Sequence, residues 1–253
     1  MKDRVRAILP RAIRPRRILG GPLRGCWLVT SWHDYPAGLS GRTERALLDW
    51  FAKHVQPGET WLDVGAHYGY TAFALGRLVG PAGRVLAFEP VVASAGCVER
   101  GRELNRLNQV TVLPFGLGEV EHLKVVRLPV TRGMADSSLL PSSDTGSATI
   151  SIARFDWLWP LVDGGGGGGG GQIHGVKIDV QGMEVEALTG MRNALARWHP
   201  CIVLELHAGV SRERVLSLLE SMGYSRDAVP VDPLPDEGIP RFVDDRSYVF
   251  RQA

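Results

Sequence analysis

Residues 60–90 read TWLDVGAHYGYTAFALGRLVGPAGRVLAFEP. The run TWLDVG (60–65) is short and apolar and ends in an acid and a glycine. Residues 71–80 carry helical spacing and stop at Gly80. RVLAFEP (84–90) is apolar again, ends in an acid and is closed by a proline. Strand, helix and strand in this order make the repeating unit of a parallel sheet. The pattern extends in both directions. Residues 41–55 place Leu47, Leu48, Phe51 and Val55 on one face of a helix. A helix over about 92–107 leads to the β-rich run VTVLPFG (110–116). Residues 120–160 change character: HLKVVRLPV and ATISIARFDWL read as two strands of a β-insertion around a Ser/Asp-rich loop. VKIDV (176–180), a helix over about 183–197, CIVLELH (201–207), a helix from Ser211 to about Met222 and SYVFR (247–251) complete the series. The expectation is an α/β domain with helices on both faces of its sheet.

Strands covered on both faces should be almost wholly apolar, so their charged exceptions are informative. Asp63, Glu89, Asp179 and Glu205 all fall at or near the carboxyl end of a strand. Ligands of open α/β sheets bind outside those ends, where the strand order reverses. The plainer reading is that such acids cap the following helices. It could explain any one of them, Asp63 or Asp179 most easily, but explains all four poorly, because Glu is a weak cap. Gly65 and Gly69 flank a loop that opens a helix, whose free N–H groups favour an anion. Glu89 lies 20 residues past Gly69 (89 − 69), where an acid can accept both hydroxyls of a ribose. A dinucleotide loop would read G-x-G-x-x-G. Here His67 and Tyr70 replace its second and third glycines, which argues against NAD. The spacing suits S-adenosylmethionine, which has a ribose and an amino-acid end but no pyrophosphate. The expected cofactor residues are Asp63, Gly65, His67, Gly69, Tyr70, Thr71, Glu89 and Pro90.

DVGAHYGYTAFAL, then FEP, then VKIDVQGMEVEALTGM, then IVLELH, in that order, resemble the FkbM-type S-adenosylmethionine-dependent methyltransferases. The resemblance spans roughly residues 38–210 and is most specific at VKIDVQGMEVEAL. It implies a class I methyltransferase fold, Rossmann-like, with a seven-stranded, mostly parallel sheet. It also implies methyl transfer to a hydroxyl of a sugar or secondary metabolite. Two positions depart. His67 stands where the family more often has Asn, and Gln181 where it usually has Glu. A base or metal ligand supplied by that Glu would be lacking here.

Methyl transfer from a sulfonium needs an acceptor held in line and shielded from water. A hydroxyl acceptor also profits from a base. Lys177 and Asp179 share a face of their strand, as do Glu205 and His207 of theirs. The expected catalytic residues are therefore Asp179, Glu205 and His207, with His207 the group that titrates near neutral pH. The plainer reading makes Lys177 an ion-pair partner and His207 a rim histidine. A divalent metal held by Asp179 and Glu205 is the lesser alternative, because no dense ligand cluster is legible. Trp157 and Trp159 are core residues or the wall of an acceptor pocket. Trp32 and Tyr35 are candidate lid residues.

The chain has 253 residues, 44% hydrophobic, enough for one large domain with its own core. A net charge of +2 gives no ground for a nucleic-acid partner. The expected partner is a small-molecule or glycan acceptor. Residues 1–40 carry Lys2, Arg4, Arg6, Arg11, Arg14, Arg16, Arg17 and Arg24 against few acids. They read as a basic arm, either a solvated leader or a contact for an anionic membrane surface, ahead of a domain over 41–253. Three scattered cysteines, no signal-peptide core and no apolar span favour a cytoplasmic protein. Gly164–Gly171 is an unbroken glycine run leading into a strand. A phosphate cradle opens into a helix, so this run reads as a flexible linker. Two other functions fit less of the pattern. One is a cofactor-binding scaffold without turnover, suggested by Gln181. The other is an NAD-dependent oxidoreductase, opposed by the loop glycines.

Overall fold

The structure is a computed structural model that describes residues 8–135, 146–162 and 171–253. Seven strands form the central sheet: β3 (Thr60–Val64), β4 (Arg84–Phe88), β5 (Val110–Leu113), β10 (Gly175–Ile178), β11 (Cys201–Leu206), β12 (Val229–Pro230) and β13 (Arg246–Phe250). Their order is β12-β13-β11-β10-β3-β4-β5. β13 runs antiparallel to β11 and β12, and the remaining pairs are parallel. The chain lays down β3, β4 and β5 in one direction and then places β10 on the other side of β3. The order therefore reverses between β3 and β10, which puts a crevice above Gly65 and Asp179.

Alternation along the strands builds two cores. Leu62, Val64, Leu86 and Phe88 face one, and Trp61, Val85 and Ala87 face the other. Helices α2 (Arg45–His54), α3 (Tyr70–Val79) and α4 (Val92–Asn105) contribute Phe51, Phe73 and Val98 to the second core. Helices α5 (Phe155–Val162), α6 (Glu184–Gly190), α7 (Arg192–Trp198) and α8 (Arg212–Ser221) contribute Trp159, Leu188, Leu195 and Leu219 to the first. Burying apolar side chains on both faces is what holds a parallel sheet together. A smaller sheet of order β6-β9-β7-β8 covers one end of the crevice. It comprises β6 (Gly116–Leu117), β7 (Leu123–Thr131), β8 (Met134–Ala135) and β9 (Gly146–Ala153). β7 and β9 pair antiparallel from Leu123–Ala153 to Val130–Gly146.

Three local expectations change. ATISIARFDWL does not continue as a strand: β9 ends at Ala153 and Phe155–Val162 is helical. Phe155, Leu158 and Trp159 recur at helical spacing and are all buried, a signal masked by their β-forming residue types. The helix expected over 183–197 is two, parted at the fully buried Met191. The second starts where the Asp156 carboxylate accepts the N–H groups of Asn193 and Ala194 at 2.9 Å each, a cap supplied from another element.

The third concerns the basic arm. β1 (Arg14–Arg17) pairs with β2 (Trp27–Thr30), and α1 spans Pro36–Ser40. Ile18, Leu23, Leu28 and Leu39 are buried in the second core. The Asn105 side chain grips the backbone N–H and carbonyl of Trp27 at 2.8 and 2.7 Å. A solvated leader thus does not describe residues 14–40. The arginines ride on an apolar underside, with Arg17 over the Trp27 ring at 4.1 Å. Residues 1–7 and Gly164–Gly170 lie outside the described residues, and so does the Ser/Asp-rich loop over 136–145. Among the described residues no helix is long and apolar enough to cross a membrane.

Candidate active site

The cleft above the strand-order reversal has an empty volume of about 720 Å3. Gly65, His67, Glu89, Asp179 and Gln181 are its polar end, and Phe88, Pro90, Phe115, Leu117, Ile150, Ile152 and Met183 its apolar walls. The loop after β3 is tied down from β4: the N–H groups of Gly65 and Ala66 donate to the Phe88 carbonyl at 3.0 and 2.9 Å. Glu89 extends this anchoring. Its Oε2 accepts the N–H of His67 and its Oε1 the N–H of Val91, both at 2.8 Å. One side chain therefore orders the loop and the entry to α4. Burial pushes the Glu89 carboxyl up to about 8 against the pull of those two N–H groups.

S-adenosylmethionine fits these residues. Each Glu89 oxygen spends one lone pair on the backbone and keeps another for a ribose hydroxyl. The apolar walls suit a flat base. Gly65 allows the close approach: at φ +87, a Cβ there would lie 1.8 Å from the Asp179 carbonyl oxygen. Not every expected cofactor residue lines the cleft. Asp63 is fully buried and accepts the Thr71 hydroxyl at 2.7 Å, so both act beneath the loop. Gly69 takes φ +86 as the residue before α3. Tyr70 is buried in the second core, and its ring meets Tyr35 edge-on with centroids 6.2 Å apart. His67 donates its Nε2–H to the Arg132 carbonyl at 2.9 Å, and burial pulls its pKa down to about 4. A neutral His67 must be the donor there.

Asp179 joins this cleft to a group of charges. Lys177 stands opposite Asp63 in the β10–β3 register. Its ammonium lies 3.2 Å from Asp63, 3.4 Å from Asp179 and 3.1 Å from the Gly65 carbonyl. Burial opposes the Lys177 charge, but Asp63, Asp179, Glu44 and Glu205 outweigh it and hold its pKa above the usual value. Burial likewise opposes the Asp179 charge, and Lys177 and His207 overcome it to keep Asp179 ionised. His207 Nε2 sits 3.4 Å from Asp179 and 3.6 Å from Glu205, while its Nδ1 meets Glu184 at 2.5 Å. Desolvation disfavours the imidazolium, yet Glu184 and Asp179 raise its pKa to about 9. Burial, then repulsion from Asp179 and Glu44, lifts Glu205 to about 8. The cluster holds one shared set of protons.

The structure thus brings Asp179, Glu205 and His207 together, as their strand positions implied. It also supplies what the sequence did not show. Each of the three offers one ligand atom, and these lie within 4.8 Å of one another, so the trio could hold a divalent ion. Lys177 already places a cation beside Asp179. Gln181 reaches Asp179 at 3.1 Å and His207 at 2.8 Å through Nε2. Glu184 and Glu44 join from α6 and from the start of α2. Glu184 carried a faint signal, an acid among the apolar positions of GMEVEAL, and Glu44 carried none. Tyr35 packs edge-on against the His67 ring with centroids 4.9 Å apart. Trp159 is a core residue stacked on Phe155, and neither Trp157 nor Trp159 lines the cleft.

A model of the methyltransferase FkbM domain matches residues 63–226. The hexuronic acid methyltransferase AglP of Haloferax volcanii is 27% identical over 196 residues, 74% of this chain and 72% of that protein. Among solved structures, methyltransferase FkbM from Methylobacillus flagellatus superposes with a TM-score of 0.50 at 18% identity, over 86% of this chain and 54% of that one. Aeropyrum pernix fibrillarin, solved with S-adenosyl-L-methionine, gives 0.50 at 16% identity, over 95% of this chain and 82% of that one. These two likenesses concern the fold.

Proposed function

The chain belongs to the FkbM methyltransferase family and is an S-adenosylmethionine-dependent methyltransferase, and from that premise we propose that it methylates a hydroxyl of a sugar. The observation that carries this reading is the position of Asp179. It lines the cofactor cleft and lies 3.4 Å from His207. The methyl donor and a proton acceptor can therefore meet at one carboxylate. A hydroxyl needs that acceptor. The relative from Haloferax volcanii, a hexuronic acid methyltransferase, favours a sugar as the acceptor.

Bound S-adenosylmethionine supplies a methyl already activated by the sulfonium. The residues of this chain do the rest. Gly65 and Glu89 hold the loop and the ribose in place. Asp179 orients the attacking hydroxyl, and the Glu205–His207 pair, once it has given up its own proton, takes that of the hydroxyl as the O–CH3 bond forms. With S-adenosylmethionine bound, the products would be S-adenosylhomocysteine and the methyl ether. Phe88, Phe115, Ile150 and Ile152 keep water from the cleft.

The test has two stages. Calorimetric titration should show binding of S-adenosylmethionine and S-adenosylhomocysteine but not NAD. Glu89→Ala should weaken both by at least about a hundredfold, since it removes two hydrogen bonds of about 1.5–3 kcal/mol each. Methyl transfer to a panel of monosaccharides and glycosides should then give methyl ethers by mass spectrometry. Transfer only to nitrogen or carbon acceptors would overturn the hydroxyl reading. Intact cofactor binding with no turnover, restored by Gln181→Glu, would favour the scaffold instead.

A further inference from the structure

Glu205 also lines a second depression, with an empty volume of about 870 Å3, between the start of α2 and the start of β13. Arg42, Arg45 and Arg246 face it, together with Glu44 and Ser247. The Ser247 hydroxyl donates to Glu205 at 3.3 Å, so this groove and the charge cluster share a wall. Among the described residues, none of the three guanidinium groups makes a side-chain hydrogen bond or an ion pair. Nη2 of Arg246 is closed off from solvent with no partner at all. A buried donor without an acceptor calls for an explanation.

The backbone adds donors at the same place. Arg45, Ala46 and Leu47 line the groove and are the first three residues of the ten-residue α2. Their N–H groups have no partner within the helix. No side chain caps this end and no acid lies in its first turn. The positive end of the helix is therefore open to an anion. The groove also holds four acids. Burial moves Glu205 up to about 8, toward the neutral form, and shifts Glu44 upward as well. Asp232 and Asp245 are both exposed, and the groove carries three guanidinium groups. Arginine's planar fork matches carboxylate and phosphate oxygens.

We propose that this groove is an anion subsite, in which Arg42, Arg45, Arg246 and the α2 N-terminus bind an acidic group of the methyl acceptor, a carboxylate or a phosphate. The subsite rests on reading the Asp179–Glu205–His207 rim as the acceptor side. It places the acid of the acceptor beyond Glu205 and leaves a hydroxyl of the same molecule over Asp179 and His207. Acceptor choice would then be set by charge at one end and by methyl transfer at the other.

The test is titration of the protein saturated with S-adenosylhomocysteine, using methyl glucoside, methyl glucuronoside and glucose 6-phosphate as probes. One or both acidic sugars should bind at least tenfold more tightly than the neutral glucoside. The stronger of the two identifies carboxylate or phosphate as the preferred acid. Arg246→Gln and, separately, the exposed Arg45→Gln should each remove most of that preference. Both should leave binding of the glucoside and of S-adenosylhomocysteine unchanged. Equal binding of all three sugars, binding of none, or a preference that survives both substitutions would overturn the subsite while the cofactor site stands. Failure of S-adenosylhomocysteine to bind would overturn the methyl-transfer reading and the subsite together.

Discussion

Replacing Gly65 by alanine tests the crossing of backbones on which the cleft depends. Gly65 has φ +87, and an added Cβ would meet the Asp179 carbonyl oxygen at 1.8 Å and its carbon at 2.9 Å. Gly58 has φ +89, and nothing lies within 4 Å of the Cβ it would gain. The two positions share a backbone strain and differ only in the contact. Gly58→Ala should therefore cost the conformational term alone, about 1–2 kcal/mol. Gly65→Ala should add the cost of overpacking a site whose neighbour is backbone, about 1–3 kcal/mol more. Its total is then about 2–5 kcal/mol, which lowers the melting temperature by roughly 2–4 °C per kcal/mol in a chain of this size. Urea unfolding of the two variants beside the wild type measures the difference. Calorimetry with S-adenosylhomocysteine reads the second consequence: affinity should fall at least tenfold in Gly65→Ala and stay unchanged in Gly58→Ala. Equal destabilisation by the two substitutions, with cofactor binding intact in both, would refute the close approach of β3 and β10 at this point.

Lys177→Met should leave the fully buried Asp63 and its neighbour Asp179 without their shared cation, at a cost of about 3–5 kcal/mol in urea unfolding; a loss below about 1 kcal/mol would show that the carboxylates do not depend on it. The folded His207 titrates near 9, above its ordinary 6.5, so its contribution to stability is complete below pH 6.5 and is lost as pH rises through 9. The wild type should accordingly lose stability over that window more steeply than His207→Gln, and parallel melting curves across it would count against the Glu184–His207–Asp179 arrangement. Methyl transfer should rise over the same window as the cluster gives up its proton, and a rate that is flat from pH 6.5 to 9 would exclude the cluster as the proton acceptor.

The sheet and the loop between β3 and α3 were legible because their signals are local. Apolar runs closed by Gly65 or Pro90, and helices of about ten residues between them, repeat within stretches of some thirty residues. Phe155–Val162 shows the limit of such signals: Phe and Trp favour strands by type, while the buried Phe155, Leu158 and Trp159 recur at the spacing of a helix. The arm misleads for a related reason. Composition reports the arginines that stay at the surface, and Ile18, Leu23, Leu28 and Leu39 become an apolar face only when β1, β2 and α1 fold over α4.

At the site, sequence by itself determined which strands end in an acid and that a glycine-flanked loop, Gly65–Gly69, opens a helix between two of them, because strand ends and loop glycines are properties of neighbouring residues. Which charges touch was decided by the tertiary structure alone. Parallel register sets Lys177 opposite Asp63, helix packing delivers Glu184 to His207, and the return of β13 beside β11 carries Arg246 to the groove where Arg42 and Arg45 wait. Register and packing are fixed by the burial of whole faces rather than by any short run of residues, so the partners of a buried charge can be far away in the chain and leave no mark near it.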